Sequence, residues 1–375
     1  MKSEEWKLPR RALGRTGLEV SVLGLGGFHQ VEVTQDVVDA VTDRYLGAGG
    51  NYVETARSYG GGASEAKIGR ALAGRRDQVI LTSKTPAKTA EEVRRDLAGS
   101  LERLRTDRLD LLLFHCVNDV ATLDALTAAG GAVEAFVQAR DEGVVRHIGI
   151  STHWPMVLIE AMRRLPLDAI MVWVSYLAWC NYPEIERELI PAARQRGLGV
   201  ICMKPLGDGY LYRSVDEGIT YALSRDVDVL ACGFNSVEML ERDLAAVRSY
   251  QAPDESRIER ILANAPELGD YICRQCERCE SCSAGVDIPR VFELEGKFDQ
   301  QMADGRPHDA ADYALRERLK HWFGNQVRAR QAYADLPVQA DACLAAGHRH
   351  GCPYGIDVAR KLQLAHAKLT GGHLV

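Results

Sequence analysis

The chain has 375 residues, 46% hydrophobic and 26% charged, which sits near globular averages, excludes a disordered polymer and leaves room for one large domain plus an appendage. A formal charge of −6 offers no electrostatic footprint for nucleic acid or an anionic membrane surface. No apolar run nears the roughly 20 residues that span a bilayer, and the opening MKSEEWKLPRR lacks the apolar core of a secretory signal. A cytoplasmic location with reduced thiols is therefore expected, where clustered cysteines point to metal before disulfide.

In chain order, RRALGRTG (10–17) comes first, with turn residues at Arg15–Gly17 that predict a hairpin. Short apolar runs then read as buried parallel strands: EVSVLGLGG (19–27), YVETA (52–56), VILTSK (79–84), DLLLFH (110–115), HIGIST (147–152), AIMVWVS (169–175), GVICMKP (199–205) and VLACGF (229–234). Each is followed by a stretch of helical spacing, such as EEVRRDLAGSLERL (91–104) or PEIERELIPAARQRG (183–197). Thr89 precedes Glu92 by the three residues of a capping box, and Gly197 stands where a helix C-terminal cap belongs.

Strands alternating with helices over roughly 230 residues predict a (β/α)8 barrel, with the early hairpin as a plug for its floor. An open doubly wound sheet would need a G-x-G-x-x-G turn, which GLGGFHQ (24–30) does not supply. The segment YQAPDES (250–256) reads as a boundary, giving a barrel over 1–250 and a tail over 251–375. The tail holds a predicted helix (257–265), the run CRQCERCESC (273–282), charged helical segments (308–332) and ADACLAAGHRHGCPYGID (340–357). The scattered Cys116, Cys180, Cys202 and Cys232 read as small core residues.

Barrel enzymes carry their chemistry at the C-terminal strand ends. There the second strand has Glu54 with Tyr59 five residues on, the third has Lys84 and the fourth His115. Taken singly, a lysine or histidine at a strand end is ordinarily a satisfied or solvated polar group. Four converging groups make a carbonyl-reduction site. An ammonium beside a phenol favours the phenolate, so the phenol can protonate a carbonyl oxygen while a nicotinamide delivers hydride. The histidine would orient the carbonyl and the carboxylate would pair with the lysine. The loop HCVNDVATLDALTAAGG (115–131) would shape the substrate pocket.

The segments LGRTGLEVSVLGLGG (13–27), NYVETARSYGGGASEAKIGRAL (51–72), LTSK (81–84) and SLERLRTDRLDLLLFH (100–115) resemble the aldo-keto reductase family in order and spacing. The resemblance implies a (β/α)8 barrel that reduces aldehydes or ketones with NADPH or NADH, and a tetrad of Asp, Tyr, Lys and His. Tyr59, Lys84 and His115 match it, while Glu54 stands in place of the aspartate. It further implies nucleotide contacts at Gly27, at Ser151–Thr152 where the family has Ser-Asn, and at Ser175, with Met171 in place of a glutamine. Lys204 and Leu206 of KPLG would lie along the pyrophosphate. Gly233, Asn235 and Asp243 occupy the adenosine positions, Asn235 where many members carry an arginine for the 2′-phosphate. Losing that pairing favours NADH over NADPH.

Three cysteines at two-residue spacing suit the corners of a 4Fe–4S cluster, and in bacterial ferredoxins the fourth cysteine of such a run serves the other cluster. A branch of the family has a ferredoxin-like tail with two such runs, which this tail resembles. Here the second is eroded: Cys343 is followed at three-residue steps by Ala346, Arg349 and Cys352, before Pro353. The crossed rule implies one cluster on Cys273, Cys276, Cys279 and Cys352, leaving Cys282 and Cys343 too few for a second. The rival set is Cys273, Cys276, Cys279 and Cys282. Zinc knuckles would be separated by a longer loop, and His348 and His350 are expected at the surface.

The leading expectation is an NAD(P)-dependent oxidoreductase acting on a small carbonyl or alcohol, with a helical iron–sulfur tail and room for a redox partner. A redox-neutral epimerase or isomerase with captive nucleotide, and a non-catalytic electron-transfer protein on a degenerate barrel, stand as alternatives.

Overall fold

A computed structural model describes residues 6–279, 282–299, 326–347 and 350–372. Residues 308–325 of the expected charged helical segment, and His348, lie outside the described residues.

The run at 19–27 is divided between two structures. Strand β1 (Arg10–Ala12) pairs antiparallel with β2 (Glu19–Ser21), and β3 (Leu23–Gly26) enters a barrel. The hairpin turn seats against the start of a later strand: Arg15 N–H donates to Gly197 O at 2.8 Å and Gly14 N–H to Asp228 Oδ2 at 3.2 Å. Gly14 sits at φ +50°, where a Cβ would meet Gly199 N at 2.3 Å, so the floor of the barrel is closed by backbone on backbone.

The barrel continues through β4 (Tyr52–Glu54), β5 (Ile80–Thr85), β6 (Leu109–Phe114), β7 (Val145–Ser151), β8 (Ala169–Trp173), β9 (Gly199–Met203) and β10 (Val229–Gly233), which returns to β3. All neighbours are parallel, and the register Gly26↔Glu54, Lys84↔Leu113 and Ser151↔Met171 brings the functional strand ends to one rim. β5, β6, β8 and β9 are buried at every position, as strands covered on both faces must be, which is why they read as unbroken apolar runs.

Helix Ala90–Leu104 begins with the capping box: Thr89 Oγ1 accepts from Glu92 N–H, and Glu92 Oε2 accepts from Thr89 N–H. The single helix expected over 183–197 is two pieces, a wide π-type turn Ile185–Leu189 and helix Ile190–Gln195. Pro191 explains the change, since it has no N–H to give the preceding turn. Gly197 follows at φ +69°, a left-handed cap. The loop 115–131 contains helix Val120–Thr127, started by Asp119, whose Oδ1 accepts from Thr122 N–H at 2.6 Å.

The chain forms two compact units, one of residues 1–174, 185–205 and 222–252 and one of 175–184, 206–221 and 253–375. The second unit thus takes in two segments from within the barrel sequence. Its described tail helices are Glu255–Asn264, Ile288–Asp299, Gln326–Ala334, Ala340–Ala345 and Val358–Thr370. Val286, Ile288, Val291, Phe292, Leu362 and Ala365 form its core together with Cys273, Cys282 and Cys343. Lys361 is buried there against Glu295 at 2.7 Å and lies 3.7 Å over the Tyr271 ring. Among the described residues no helix is long and apolar enough to cross a membrane.

Candidate active site

β4 ends in Glu54 and β5 carries Lys84 beside it, while the turn after β4 brings Tyr59 back over the strand ends. Consecutive glycines make that turn possible: Gly60, Gly61 and Gly62 all have positive φ. Lys84 Nζ donates to Glu54 Oε2, to Thr55 O at 2.9 Å and to Tyr59 Oη at 2.9 Å, with both charged groups buried. The ammonium lies 4.5 Å from the Tyr59 ring centre.

His115, just past β6, meets the Tyr59 ring edge-on with centroids 5.6 Å apart. Its Nδ1 is 3.1 Å from Ser58 Oγ, which turns Nε2 into the ring atom left for a ligand. Burial, then the positive charge of Lys84, then His153, hold His115 well below the usual histidine range, so the imidazole is neutral at neutral pH. Phe28 packs edge-on against Tyr59 at 5.2 Å. The four sequence-predicted residues are thus brought together, with the phenol hydrogen-bonded to an ammonium whose charge a carboxylate balances. Such a phenol can hand a proton to an oxygen placed before it.

Several neighbours escaped the sequence reading. Ser58 is adjacent to Tyr59 in RSYGGG, and His153 directly follows Ser151–Thr152; adjacency was the only signal. His153 stacks on Trp173 at 5.6 Å, and burial, Lys204 and Lys84 lower its pKa to about 3. Cys116, expected in the core, is instead half-buried at φ +58°, its Sγ 3.9 Å from His153 Nδ1. The other three scattered cysteines are buried.

The predicted nucleotide residues divide by environment. Ser151 and Thr152 are buried and already bonded: Cys116 N–H donates to Ser151 Oγ at 3.2 Å, and Thr152 Oγ1 accepts from Trp154 N–H at 2.8 Å. Lys204 is partly buried at φ +55°, and its charge is felt by both Cys116 and His153. Gly27 packs on the end of β4, where a Cβ would meet Glu54 O at 2.6 Å, and Gly233 takes the His29 ring against its Cα. Asn235 is exposed, one residue before Ser236, which caps helix Val237–Arg248. Asp243 is buried with its carboxyl bonded to the Cys232 thiol, and burial pushes its pKa up to about 7. In the second unit, Ser175 caps helix Tyr176–Asn181 and Leu206 O accepts from Gly209 and Leu211 N–H. A depression at the opposite, N-terminal strand ends is lined by Arg10, Arg76, Arg108 and Arg146 but contains none of the tetrad.

The cysteine run winds through left-handed residues, Gln275 at φ +54° and Glu277 at φ +58°, and Gln275 N–H points at Cys273 Sγ, 3.4 Å away. Cys279 lies near Cys276 and Cys352, whereas Cys282 lies near Cys343. His350 is not at the surface as expected: it is half-buried with Nε2 3.2 Å from Cys343 Sγ.

The profile of the Aldo/keto reductase family matches residues 22–251. The chain is 32% identical over 219 residues to L-galactose dehydrogenase of Arabidopsis thaliana, covering 55% of this chain and 67% of that protein. It is 29% identical over 316 residues to norsolorinic acid reductase of Emericella nidulans, covering 74% and 78% respectively. An aldo-keto reductase from Bacillus halodurans in its holo form superposes with a TM-score of 0.60 at 26% identity, over 68% of this chain and 95% of that one. The closed parallel barrel, the rim chemistry and these matches agree, and the chain belongs to the aldo/keto reductase family as an NAD(P)-dependent oxidoreductase.

Proposed function

We propose that the protein exchanges hydride between NAD(P)H, with NADH favoured, and a small carbonyl or alcohol, with Tyr59 as the proton donor. The observation carrying this is the bond of Lys84 Nζ to Tyr59 Oη at 2.9 Å while the same ammonium is neutralised by Glu54. Lys84 stabilises the phenolate left after proton transfer. The neutral His115, held by Ser58 through Nδ1, orients the substrate oxygen with Nε2. Glu54 fixes the lysine.

Two residues support a dinucleotide reading: Lys204 is a cation close enough to His153 and Cys116 to act on both, and Asn235 offers no cation for a 2′-phosphate. When bound, the nucleotide supplies the hydride. Its contacts on the barrel unit would be Gly27, Ser151, Thr152, Lys204, Gly233, Asn235 and Asp243, and the resemblance adds Ser175 and Leu206. Relatives named as a dehydrogenase and a reductase support an alcohol–carbonyl couple without choosing its direction.

We assign residues 1–250 to the reductase barrel and 251–375 to a ferredoxin-like tail carrying one 4Fe–4S cluster on Cys273, Cys276, Cys279 and Cys352. The nearness of Cys279 to Cys352, and of Cys282 to Cys343 instead, supports Cys352 as the fourth ligand. Such a cluster calls for a reducing, cytoplasmic compartment and would give a redox partner a role.

The test is Tyr59→Phe. Turnover should fall by ~10²–10⁴, the range of a lost acid–base catalyst, while fluorescence titration with NADH and NADPH gives unchanged affinity, tighter for NADH. A Tyr59→Phe protein that turns over at the wild-type rate would remove the phenol from the mechanism.

A further inference from the structure

Where the resemblance implies an eroded second cysteine site, the structure brings together a different set of ligand-type side chains. Cys282 ends the first run, Cys343 lies in helix Ala340–Ala345, and His350 follows that helix. Their ligand atoms all lie within 4.8 Å of one another, and Cys343 Sγ is 3.2 Å from His350 Nε2. Both thiols are buried in the apolar core of the second unit. Three side chains of metal-ligand type, one from the cysteine run and two from the helix Ala340–Ala345 region, therefore converge at that core.

Their spacing suits one ion. Zinc–sulfur bonds of about 2.3 Å and zinc–nitrogen bonds of about 2.0 Å at a tetrahedral centre set the S···N separation near 3.5 Å. A cubane spreads its thiolates over separate irons and needs four of them. Charge points the same way. Two thiols lose their protons on binding, and two thiolates neutralise a divalent cation, so the buried centre carries no net charge. Sulfur with imidazole nitrogen selects a borderline-soft metal and rejects magnesium or calcium.

We propose that Cys282, Cys343 and His350, through Nε2, hold a single zinc ion with water in the fourth position. The ion ties the cysteine run to helix Ala340–Ala345 and its following segment through three protein ligands, one fewer than a closed structural site. It uses none of Cys273, Cys276, Cys279 and Cys352, so zinc and iron content report on two separate sites.

The experiment is elemental analysis of the anaerobically purified full chain, followed by Co²⁺ titration of the reduced protein after dialysis against a chelator. One zinc per chain is expected, with one Co²⁺ taken up in its place and a thiolate-to-cobalt absorption band that Zn²⁺ abolishes. Loss of an outer partner to a metal ligand costs ~10–100-fold in affinity, so loss of a direct ligand in Cys343→Ser or His350→Ala should weaken Co²⁺ binding by more than ~100-fold. Iron content should not change in either variant. If Cys343→Ser does not fold, the half-buried His350→Ala and the wild-type titration still decide the matter. Absence of stoichiometric Co²⁺ or Zn²⁺ binding by the reduced wild type would overturn the proposal. So would loss of iron in place of zinc from the variants, or a Cys282–Cys343 disulfide in the anaerobically purified chain.

Discussion

Glu54 is the residue on which stability and chemistry meet. It is the partner of an ammonium that is 1% exposed, and the extra methylene over aspartate lets it close on Lys84 from the end of β4. Removing one member of a buried pair strands the other charge, which costs about 3–5 kcal/mol. Glu54→Ala should lose stability on that scale in urea unfolding. Glu54→Asp keeps the charge and should lose less, but Lys84 must shift to follow the shorter side chain. A displacement of about 1 Å can cost ~100-fold in rate. The expected signature is a lower kcat with little change in nucleotide affinity. Full activity in Glu54→Asp would mean that Lys84 does not need its present position.

Between elements, one close backbone approach is at Gly69, where helix Ala63–Ala71 lies against the end of helix Ala90–Leu104. A Cβ on Gly69 would sit 2.3 Å from Arg103 O and 2.7 Å from Leu104 Cα, and backbone cannot swing aside as a side chain can. Gly to Ala within a helix ordinarily gains about 1 kcal/mol. Overpacking costs about 1–3 kcal/mol and should win here, so Gly69→Ala is expected to be the less stable protein by urea midpoint. A raised midpoint would show that the two helices part freely. The same scale explains what could be read from sequence. Strands buried on both faces are unbroken apolar runs, so all eight barrel strands were visible, and the Thr89 box depends only on local spacing. The break between β2 and β3 was not visible, because EVSVLGLGG is continuous and its division comes from pairing with Arg10–Ala12. Helix Val120–Thr127 is too short for periodicity to reveal. Tyr59, Lys84 and His115 stood out through motif spacing, whereas Cys116 reaches the rim through a left-handed backbone and His350 meets a cysteine seven residues back, neither of which leaves a pattern.

For the whole molecule, a formal charge of −6 spread over 375 residues is a weak lever on stability, and the response to pH should come from a few buried groups. His115 and His153 are held below 6.5, chiefly by burial, so their contribution is present above that pH and lost as pH falls. Glu295 adds to the same acid side: burial raises its pKa, but Lys361 and Lys368 more than offset that, and its stabilisation is lost as pH drops below 4.5. Asp243 and Glu293 work in the opposite sense, because burial raises both. The native state keeps a proton on Asp243 that the unfolded chain releases near 3.8, so its contribution is full below that pH and is lost as pH rises through about 7. Between about pH 4 and 6.5 the two sets oppose each other, and the wild-type curve alone does not separate them. The difference between wild type and Asp243→Asn does. Asparagine never ionises, so the variant should gain on the wild type steadily from pH 4 to 7 and then hold level. The spread between 3.8 and about 7 bounds that gain at roughly 4 kcal/mol. A lost bond to the Cys232 thiol would lower the variant equally at every pH, displacing the difference curve without tilting it. Urea unfolding at intervals across that range therefore reads the tilt alone, and parallel curves would mean that Asp243 titrates in the folded protein as it does in the unfolded chain.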